Sequence, residues 1–444
     1  MNKEFQKKQN FFSFSDIDSE RKDRIMKFTS TEATPAPHVP PGVLRLTGAA
    51  KEDIPMYRIQ TMNKISPVGL NRFPSELYEV GDAAQDPQGI LVRSAKLLDL
   101  EFNPSLLAIA RAGVGVNNIP LDRCAAAGIP VFSTPGANAN AVKELVICAM
   151  LMGSRDIPGA IRWVREQAAS GVDVSTVVEK GKSAFIGPEL YKKTLGIIGL
   201  GAIGSIVANT AISLGMDVYG YDPFLSVDTA LRLDRHVHVV KDINDLYKRS
   251  DYITMHIHYT EKTAHMIDAD AIAAMKRGVR VINLARGEIV DDEAMLTALD
   301  TGMVAAYITD FPNNRLLTAP HVIAMPHLGA STPESEQNCA AMAVDTLRDY
   351  LESGNIRSSV NLPEMTMDRS GVQRLCVLHK NVPGMLANIT SLFGRDGVNV
   401  ENLSNKSRGD YAYTMVDLGS KVGDNVIEDV RRTANVIRVR SLEW

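Results

Sequence analysis

A glycine-rich turn between an apolar strand and an apolar helix constrains this 444-residue chain more than any other feature. The apolar run at residues 194–198 passes through Gly199, Gly201 and Gly204 into residues 203–214, where apolar side chains recur at helical spacing. Gly199 permits a tight turn, Gly201 lets the backbone approach a pyrophosphate, and Gly204 lets helix and strand pack closely. Because the first N–H groups of the helix face the phosphates, the pattern predicts a dinucleotide-binding unit.

An acidic residue follows the next apolar run of this unit. Residues 216–221 form that run, and Asp222 comes directly after it. A carboxylate in this place accepts hydrogen bonds from a ribose diol, whereas it repels a 2′-phosphate. The sequence therefore predicts NAD, rather than NADP, as the cofactor.

Charge and cysteine usage exclude several classes of protein. The formal net charge is −4 and the basic residues are spread along the chain, so nucleic acid and anionic membranes are not expected partners. The four cysteines lie far apart without metal-ligand spacing, which indicates reduced thiols and no metal site. Cys148, inside the apolar run 145–152, is predicted to pack in the core. No apolar run reaches the ~18 residues that span a bilayer, so we expect a soluble, cytoplasmic protein.

The length predicts about three domains at ~150 residues each. Residues 1–55 differ from the rest, with mixed charges and a proline-rich stretch at residues 35–41. Their acidic residues argue against an organelle transit peptide. We predict a flexible N-terminal extension, with a short docking helix at residues 15–28 as the alternative.

Short apolar strands that open into small or polar residues recur between residues 56 and 140. This pattern predicts a parallel sheet whose carboxyl ends line a cleft. Arg93, Ser94 and Asn138 follow such strands, and their donor groups suit an anionic substrate. Alternatively, Arg93 forms a surface ion pair, and Ser94 and Asn138 cap turns.

The strand and helix rhythm continues through residues 141–327 and leaves three polar residues at strand ends, Arg286, Asp310 and His327. Hydride transfer between an alcohol carbon and a nicotinamide needs a group that exchanges a proton near neutral pH and a cation that holds the substrate. His327 and Arg286 have these chemistries. Each also has an ordinary interpretation, as a structural histidine and as a cap for backbone carbonyls. His256 is assigned to the cofactor loop or to a structural role.

Five sequence runs together resemble the D-2-hydroxyacid dehydrogenase family, and they occur in that family's order. They are Arg93-Ser94, residues 112–115, the glycine turn with Asp222, residues 282–291, and residues 326–332. The resemblance implies an α/β subunit of two Rossmann-like, doubly wound parallel-sheet domains. The nucleotide domain, residues 141–327, would be inserted into a substrate domain formed by residues 56–140 and 328–357.

The resemblance also implies roles for individual residues. Arg286 would bind and polarise a 2-oxo acid, and His327 would be the acid/base. The substrate contacts would be Arg93, Ser94, Ala112, Gly113 and Asn138. The NAD contacts would be Gly199, Gly201, Ala202, Ile203, Gly204, Asp222, His256, Leu284, Ala285, Asp310 and Gly329.

One segment departs from the family pattern. The family places a glutamate, followed by proline, a few residues after an Asp-x-Phe element, and this carboxylate orients the histidine. Here residues 309–315 read Thr-Asp-Phe-Pro-Asn-Asn-Arg, without glutamate, and either Thr309 or Asp310 aligns with the family's aspartate. Glu288, Glu334 and Glu336 are near in sequence, but the sequence does not place them against the imidazole. We expect His327 to serve without its usual partner.

The last 74 residues have a different pattern. After a linker at residues 358–370, residues 371–444 predict a ferredoxin-like βαββαβ unit. Its core is thin, so its open face or edge strands invite pairing with another copy, as a homodimer or homotetramer. His379, Asn381 and Asn399, with Pro383-Gly384, resemble the ACT regulatory domain and imply an amino-acid effector site. Alternatively, Pro383-Gly384 is only a turn.

The combination of both resemblances implies a substrate and a regulator. It implies oxidation of 3-phosphoglycerate to 3-phosphooxypyruvate with NAD, with L-serine as an effector at paired ACT domains. Two alternatives remain open. The chain is another family member that acts on hydroxypyruvate or glyoxylate, or it is a nucleotide-sensing regulatory protein that has lost turnover.

Overall fold

The computed structural model describes residues 56–444, which form three sheets with helices against them. The predicted extension at residues 1–55 and its alternative docking helix lie outside the described residues. Two sheets are parallel and the third is antiparallel. The predicted α/β fold class is therefore confirmed.

The first sheet has five parallel strands in the order β2-β1-β3-β4-β5. Its elements are β1 (Tyr57–Thr61), α1 (Pro67–Leu70), β2 (Tyr78–Gly81), β3 (Gly89–Val92), β4 (Ala108–Arg111), α2 (Leu121–Ala126) and β5 (Val131–Phe132). Strand β3 is buried on both faces, as expected of a parallel strand between two helical layers. The carboxyl ends of β3 and β4 lie side by side, since Val92 pairs with Arg111.

Three helices then lead into the second sheet. They are α3 (Ala139–Arg155), α4 (Ile157–Ala169) and α5 (Val174–Gly181). Helix α3 buries one side, but Cys148 lies on its exposed side, so the predicted core position of Cys148 is wrong. Residues 145–152 belong to a helix that buries a single stripe of side chains. Because every residue of this run is apolar, the sequence did not show which of them face solvent.

The second sheet has seven parallel strands in the order β12-β11-β10-β9-β6-β7-β8. Its strands are β6 (Thr194–Ile198), β7 (Asp217–Tyr221), β8 (Val237–Val240), β9 (Tyr252–Met255), β10 (Val279–Asn283), β11 (Val304–Thr309) and β12 (Val322–Ala324). Its helices are α6 (Ala202–Ser213), α7 (Val227–Ala230), α8 (Ile243–Arg249), α9 (Ala269–Ala273) and α10 (Asp292–Asp300). Strand order reverses at β6, the position where doubly wound sheets bind ligands.

Helix α11 (Pro333–Ser353) returns the chain to the first sheet, where Val344 and Leu347 share a core with Ile59 and Leu91. Residues 358–370, predicted as a linker, cross this core, and Leu362 and Met365 are fully buried there.

The third sheet is antiparallel in the order β14-β15-β13-β16 and has the predicted βαββαβ sequence. Its elements are β13 (Gln373–Lys380), α12 (Met385–Arg395), β14 (Val400–Arg408), β15 (Tyr411–Leu418), α13 (Asp424–Arg432) and β16 (Val436–Glu443). Leu375 and Val377 pack under its two helices, whereas Cys376 and Leu378 pack into the core of the first sheet's domain. The predicted open face is therefore covered by the same chain, which leaves the edge strands β14 and β16 of the two predicted pairing surfaces.

Among residues 56–444, no helix combines the length and the apolar character that a membrane crossing requires. In the same part of the chain, no group of His, Cys, Asp or Glu side chains is arranged to hold a metal ion.

Candidate active site

The glycine turn has the geometry that its sequence predicts. Gly199 has φ +90, and a Cβ there would lie 2.7 Å from the carbonyl oxygen of His256. A Cβ on Gly204 would lie 1.9 Å from the carbonyl oxygen of Gly199, so this glycine is required where α6 crosses the turn. A Cβ on Gly201 would meet nothing within 4 Å. The open space at Gly201, at the N-terminus of α6, fits the approach of a pyrophosphate.

Asp222 lies at the end of β7, beside this turn. Its carboxylate accepts hydrogen bonds from the backbone N–H groups of Leu200 and Phe224, each at 2.9 Å. The acid is thereby fixed next to the turn, where a ribose would lie. This arrangement fits the dinucleotide that the sequence predicts.

His256 lies behind the turn. Its backbone N–H donates to the carbonyl of Ile198 at 2.7 Å, and its ring contacts the Thr254 hydroxyl at 3.3 Å. Burial lowers the pKa of His256 to about 4, so the ring is neutral at physiological pH. A neutral, half-buried ring favours the structural alternative over a charged contact.

Arg286 is held by a buried asparagine that the sequence reasoning did not assign. The side chain of Asn283, at the end of β10, accepts from Ala285 N at 3.1 Å and donates to the carbonyl of Arg286 at 2.8 Å. Leu284 and Ala285 are buried between these two residues. Asn283 therefore fixes the loop that carries the arginine.

His327 and Gly287, the residue after Arg286, both lie close to the segment that follows β11. The rings of Phe311 and His327 are 4.7 Å apart between centroids, and a Cβ on Gly287 would lie 3.4 Å from the Cβ of Phe311. The charges of His327 and Arg286 both act on the carboxylate of Asp310, which is buried. Asp310 accepts from Gly329 N at 3.4 Å. His327, Asp310 and Phe311 line one cleft of about 790 Å³.

Three arginines converge where the first and second sheets face each other. Arg111, at the end of β4, donates to the carbonyl of Arg93 at 3.0 Å. Burial lowers the pKa of Arg111, and the positive charges of Arg286 and Arg93 lower it further. Gly115, after β4, lies against the guanidinium of Arg286. A cluster of cations in a cleft favours an anionic ligand.

Arg111 was missed by the sequence reasoning. It is the last residue of β4, directly before the run at residues 112–115. Its position at the end of a strand, like that of Arg93, is the sequence feature that could have identified it. Ala112 is buried, and a Cβ on Gly113 would collide with the Arg111 guanidinium.

The loop that carries Arg93 and Ser94 is held by Asn63, which was also missed. The side-chain oxygen of Asn63 accepts from the N–H groups of residues 93, 94 and 95 at 3.3, 3.0 and 2.8 Å. The Arg93 guanidinium pairs with Glu336 of α11 at 2.5 Å. The ion-pair interpretation therefore holds for Arg93 in this structure, and its charge also acts on Arg111.

Asn138 precedes α3, but its side chain makes no cap hydrogen bond, so the capping alternative is wrong for this residue. Its side-chain oxygen is buried and has no partner among residues 56–444. A Cβ on nearby Gly136 would lie 3.2 Å from the Cβ of Ala202, so this loop contacts the start of α6. An unpaired buried oxygen beside the glycine turn fits a ligand contact.

The predicted effector residues are not brought together within one chain. His379 is 2% exposed, and its ring contacts the Thr414 hydroxyl and the carbonyl of Lys380, each at 2.8 Å. Asn381 is exposed beside it. Asn399 precedes β14 at the other end of the sheet, because Val400 pairs with Leu418 and Leu418 with Gln373. A site that uses both His379 and Asn399 needs two copies of the chain.

Comparisons with known proteins agree with this geometry. Residues 147–329 match the family model described as D-isomer specific 2-hydroxyacid dehydrogenase, NAD binding domain. A relative named D-3-phosphoglycerate dehydrogenase from Escherichia coli K12 is 33% identical over 350 residues, which cover 76% of this chain and 82% of the relative. The chain belongs to the D-isomer specific 2-hydroxyacid dehydrogenase family.

The resemblance identified from the sequence is thereby confirmed at the level of the family. A relative of the same name from Synechocystis is 35% identical over 326 residues, 71% of this chain but 56% of the relative. The chain thus spans little more than half the length of that relative. A solved structure described as NAD⁺-bound 3-phosphoglycerate dehydrogenase from Entamoeba histolytica is 26% identical, covering 69% of this chain and 99% of that chain, with a TM-score of 0.52.

Proposed function

We propose that this chain is an NAD-dependent dehydrogenase that oxidises 3-phosphoglycerate to 3-phosphooxypyruvate, an early step toward L-serine. The observation that carries the proposal is that two sets of residues meet at Arg286. The charges of Arg286 and His327, on the second sheet, both act on Asp310, and Arg286 also acts on Arg111 of the first sheet, as Arg93 does. One set suits the chemistry of a 2-hydroxy acid, and the other suits a distal phosphate.

The residues divide the reaction between them. NAD, held at the glycine turn and Asp222, would supply the acceptor for the hydride that leaves C2 of the substrate. Arg286 binds the substrate carboxylate and polarises the C2 oxygen, which suits a guanidinium because it presents parallel N–H donors. His327 takes the hydroxyl proton during oxidation and returns it during reduction. Asn283 keeps Arg286 in position through the loop backbone.

The phosphate group distinguishes 3-phosphoglycerate from the alternative substrates, hydroxypyruvate and glyoxylate. The test is NADH absorbance with 3-phosphoglycerate, and with hydroxypyruvate and glyoxylate in the reverse direction, for the wild type and Arg93→Ala. We expect Arg93→Ala to raise the KM for 3-phosphoglycerate at least tenfold and to leave the KM for hydroxypyruvate within a few fold. Equal effects on both substrates would favour a hydroxypyruvate or glyoxylate reductase. No turnover with any of these acids would favour a nucleotide-sensing regulatory protein.

We further propose that the protein works as a homodimer or homotetramer. Helices α4 and α5 bury no residue against their own chain, and they expose Ile161 and Val178. A second copy that covers this face would remove apolar surface from water. Sedimentation velocity of the wild type and of Ile161→Lys tests the proposal, since we expect a charge on this face to weaken the dimer.

We propose L-serine as the effector, bound between two copies. His379 and Asn399 lie at opposite ends of one sheet, and a two-fold pairing of edge strands would bring one residue of each copy together. Repeating the NADH assay with serine is the test. A cytoplasmic location is also proposed, because the four cysteines are free thiols, as expected in a reducing compartment.

A further inference from the structure

Asp310 is a buried carboxylate to which the proposed proton transfer assigns no part. The side chain is 1% exposed. Its Oδ2 accepts one hydrogen bond, from Gly329 N at 3.4 Å, and its Oδ1 has no partner among residues 56–444. Burying a carboxylate oxygen without a donor is costly, so such a group is retained where a donor or a positive charge uses it.

The titratable group beside Asp310 is the imidazole of His327. Gly329, which bonds the carboxylate, lies two residues beyond His327, and Phe311, directly after Asp310, packs against the histidine ring. The charge of His327 acts on Asp310 more strongly than that of Arg286 does. Asp310 and Phe311 therefore both lie beside the imidazole of His327.

The other carboxylates of this cleft are engaged elsewhere or exposed. Asp291 pairs with His265 at 3.6 Å, and Asp292 accepts from the Asn313 amide at 2.6 Å. Glu293 lies 3.9 Å from Arg315, and Glu288 is exposed. Outside the cleft, Glu336 pairs with Arg93 and Glu334 is exposed.

We propose that Asp310 is the positioning residue for His327 and stabilises its protonated imidazole, in place of the glutamate that this chain lacks. The proposal rests on the proposed function of His327 as the acid/base. Strand β11 ends at Thr309, so the residue after the strand, Asp310, turns toward the segment that carries His327. Burial raises the pKa of Asp310, while the charge of His327 opposes this rise and favours the ionised carboxylate.

The rival role for Asp310 is the cofactor contact that the family resemblance implies. In that role the Oδ1 atom of Asp310 accepts a hydrogen bond from the bound nucleotide, and the charge of Asp310 does not affect the protonation of the imidazole. Asp310→Asn separates the two roles, because it keeps an acceptor oxygen of the same shape and removes the charge.

The experiment uses the full chain, labelled with [ring-¹³C]histidine, and follows the imidazole signal of His327 through a pH titration. His327→Gln identifies the signal. Wild type, Asp310→Asn and the control Glu288→Gln, which removes an exposed charge from the same cleft, are compared. NADH binding is measured for each protein by fluorescence, and the pH profile of kcat/KM is measured in the direction of reduction.

We expect Asp310→Asn to move the midpoint of the His327 titration down by about one pH unit, since an adjacent charge has effects of this size. The basic limb of the reduction profile should move with it, NADH affinity should stay within about twofold, and Glu288→Gln should leave the midpoint in place. An unchanged midpoint in Asp310→Asn would overturn the proposal. An equal shift in Glu288→Gln, or a loss of NADH affinity with no shift, would overturn it as well. The titration needs no turnover, so a shift in a protein without activity would refute the proposed function and leave this inference standing.

Discussion

At the scale of single residues, the site depends on asparagines that bond backbone rather than ligand. Asn63 holds the loop of Arg93, and Asn283 holds the loop of Arg286. Arg93, Arg286 and His327 were selected from sequence because they stand at strand ends and their chemistry suits the reaction, whereas Arg111 was missed. The asparagines were not selected, because their role depends on which backbone groups the fold brings to them.

Asn283→Ala should lower kcat/KM by about 10- to 100-fold, since misplacing a binding group by about 1 Å has effects of that size. The matched control is Asn209→Ala, because Asn209 also joins two backbone groups, those of Arg232 and Asp234, away from the cleft. Steady-state NADH assays and thermal unfolding of both variants check this. Equal loss of activity in the two variants would contradict the role of Asn283.

Asp310 also makes the stability of the protein depend on pH. Burial raises the pKa of Asp310 in the folded state above 3.8, so between the two pKa values the folded state binds more protons than the unfolded state. Stability from this group therefore falls as the pH rises through that window. We expect Asp310→Asn to have a higher Tm than the wild type at pH 7.

The difference in Tm between Asp310→Asn and the wild type should disappear near pH 3, where the carboxyl is protonated in both states. Calorimetry across that pH range measures it. A variant that is less stable than the wild type at pH 7 would mean that the ionised carboxylate stabilises the fold.

At the scale of elements, the glycine turn was predictable in detail and helices α4 and α5 were not. The turn is a local structure whose residues determine one another's conformation, so spacing alone identifies it. Helices α4 and α5 are amphipathic but contribute no buried residue, so their sequence does not show what their apolar sides pack against.

Two glycines of the turn should respond differently to the same substitution. Gly201→Ala should fold normally, because its Cβ meets nothing and its φ is −66, but NADH affinity should fall at least tenfold as the Cβ enters the path of the pyrophosphate. Gly204→Ala should lower both Tm and NADH affinity, because its Cβ collides with the carbonyl of Gly199. Gly81→Ala, at another open glycine, is the control. Normal NADH binding by Gly201→Ala would contradict this account of the turn.

At the scale of the whole molecule, the third sheet holds the C-terminal end of α11. The hydroxyl of Tyr413 donates to the carbonyl of Gly354 at 2.7 Å, and Arg440 donates to the carbonyls of residues 350 and 351. Arg374 donates to the carbonyl of Ser353 and pairs with Asp417 at 2.5 Å, with both side chains fully buried. The basic side chains complement the negative end of the helix dipole.

The βαββαβ unit was predictable from sequence, but its packing on the same chain was not. Every residue of β13 but Lys380 is buried, and Cys376 and Leu378 are apolar on the face opposite Leu375 and Val377. This run is apolar on both faces, and that feature could have predicted the packing from sequence. An antiparallel strand with one face in solvent alternates apolar and polar residues. The surface that covers β13 comes from a segment far away in sequence.

Arg374→Met should destabilise the protein by about 3–5 kcal/mol, because it leaves Asp417 buried without its partner. Lys421→Met is the control, since Lys421 and Glu443 form an exposed pair. Urea unfolding gives the stability, and hydrogen exchange should show that β13 and the end of α11 lose protection together. Loss of protection in β13 alone would mean that the third sheet does not hold the helix.

The central claim is that His327 and Arg286 act on one substrate across the cleft, and steady-state kinetics of His327→Gln test it most directly. Turnover of 3-phosphoglycerate should fall by about 10²- to 10⁴-fold, the usual contribution of a general acid or base, while NADH affinity stays within a few fold. Turnover within a few fold of the wild type would contradict the account.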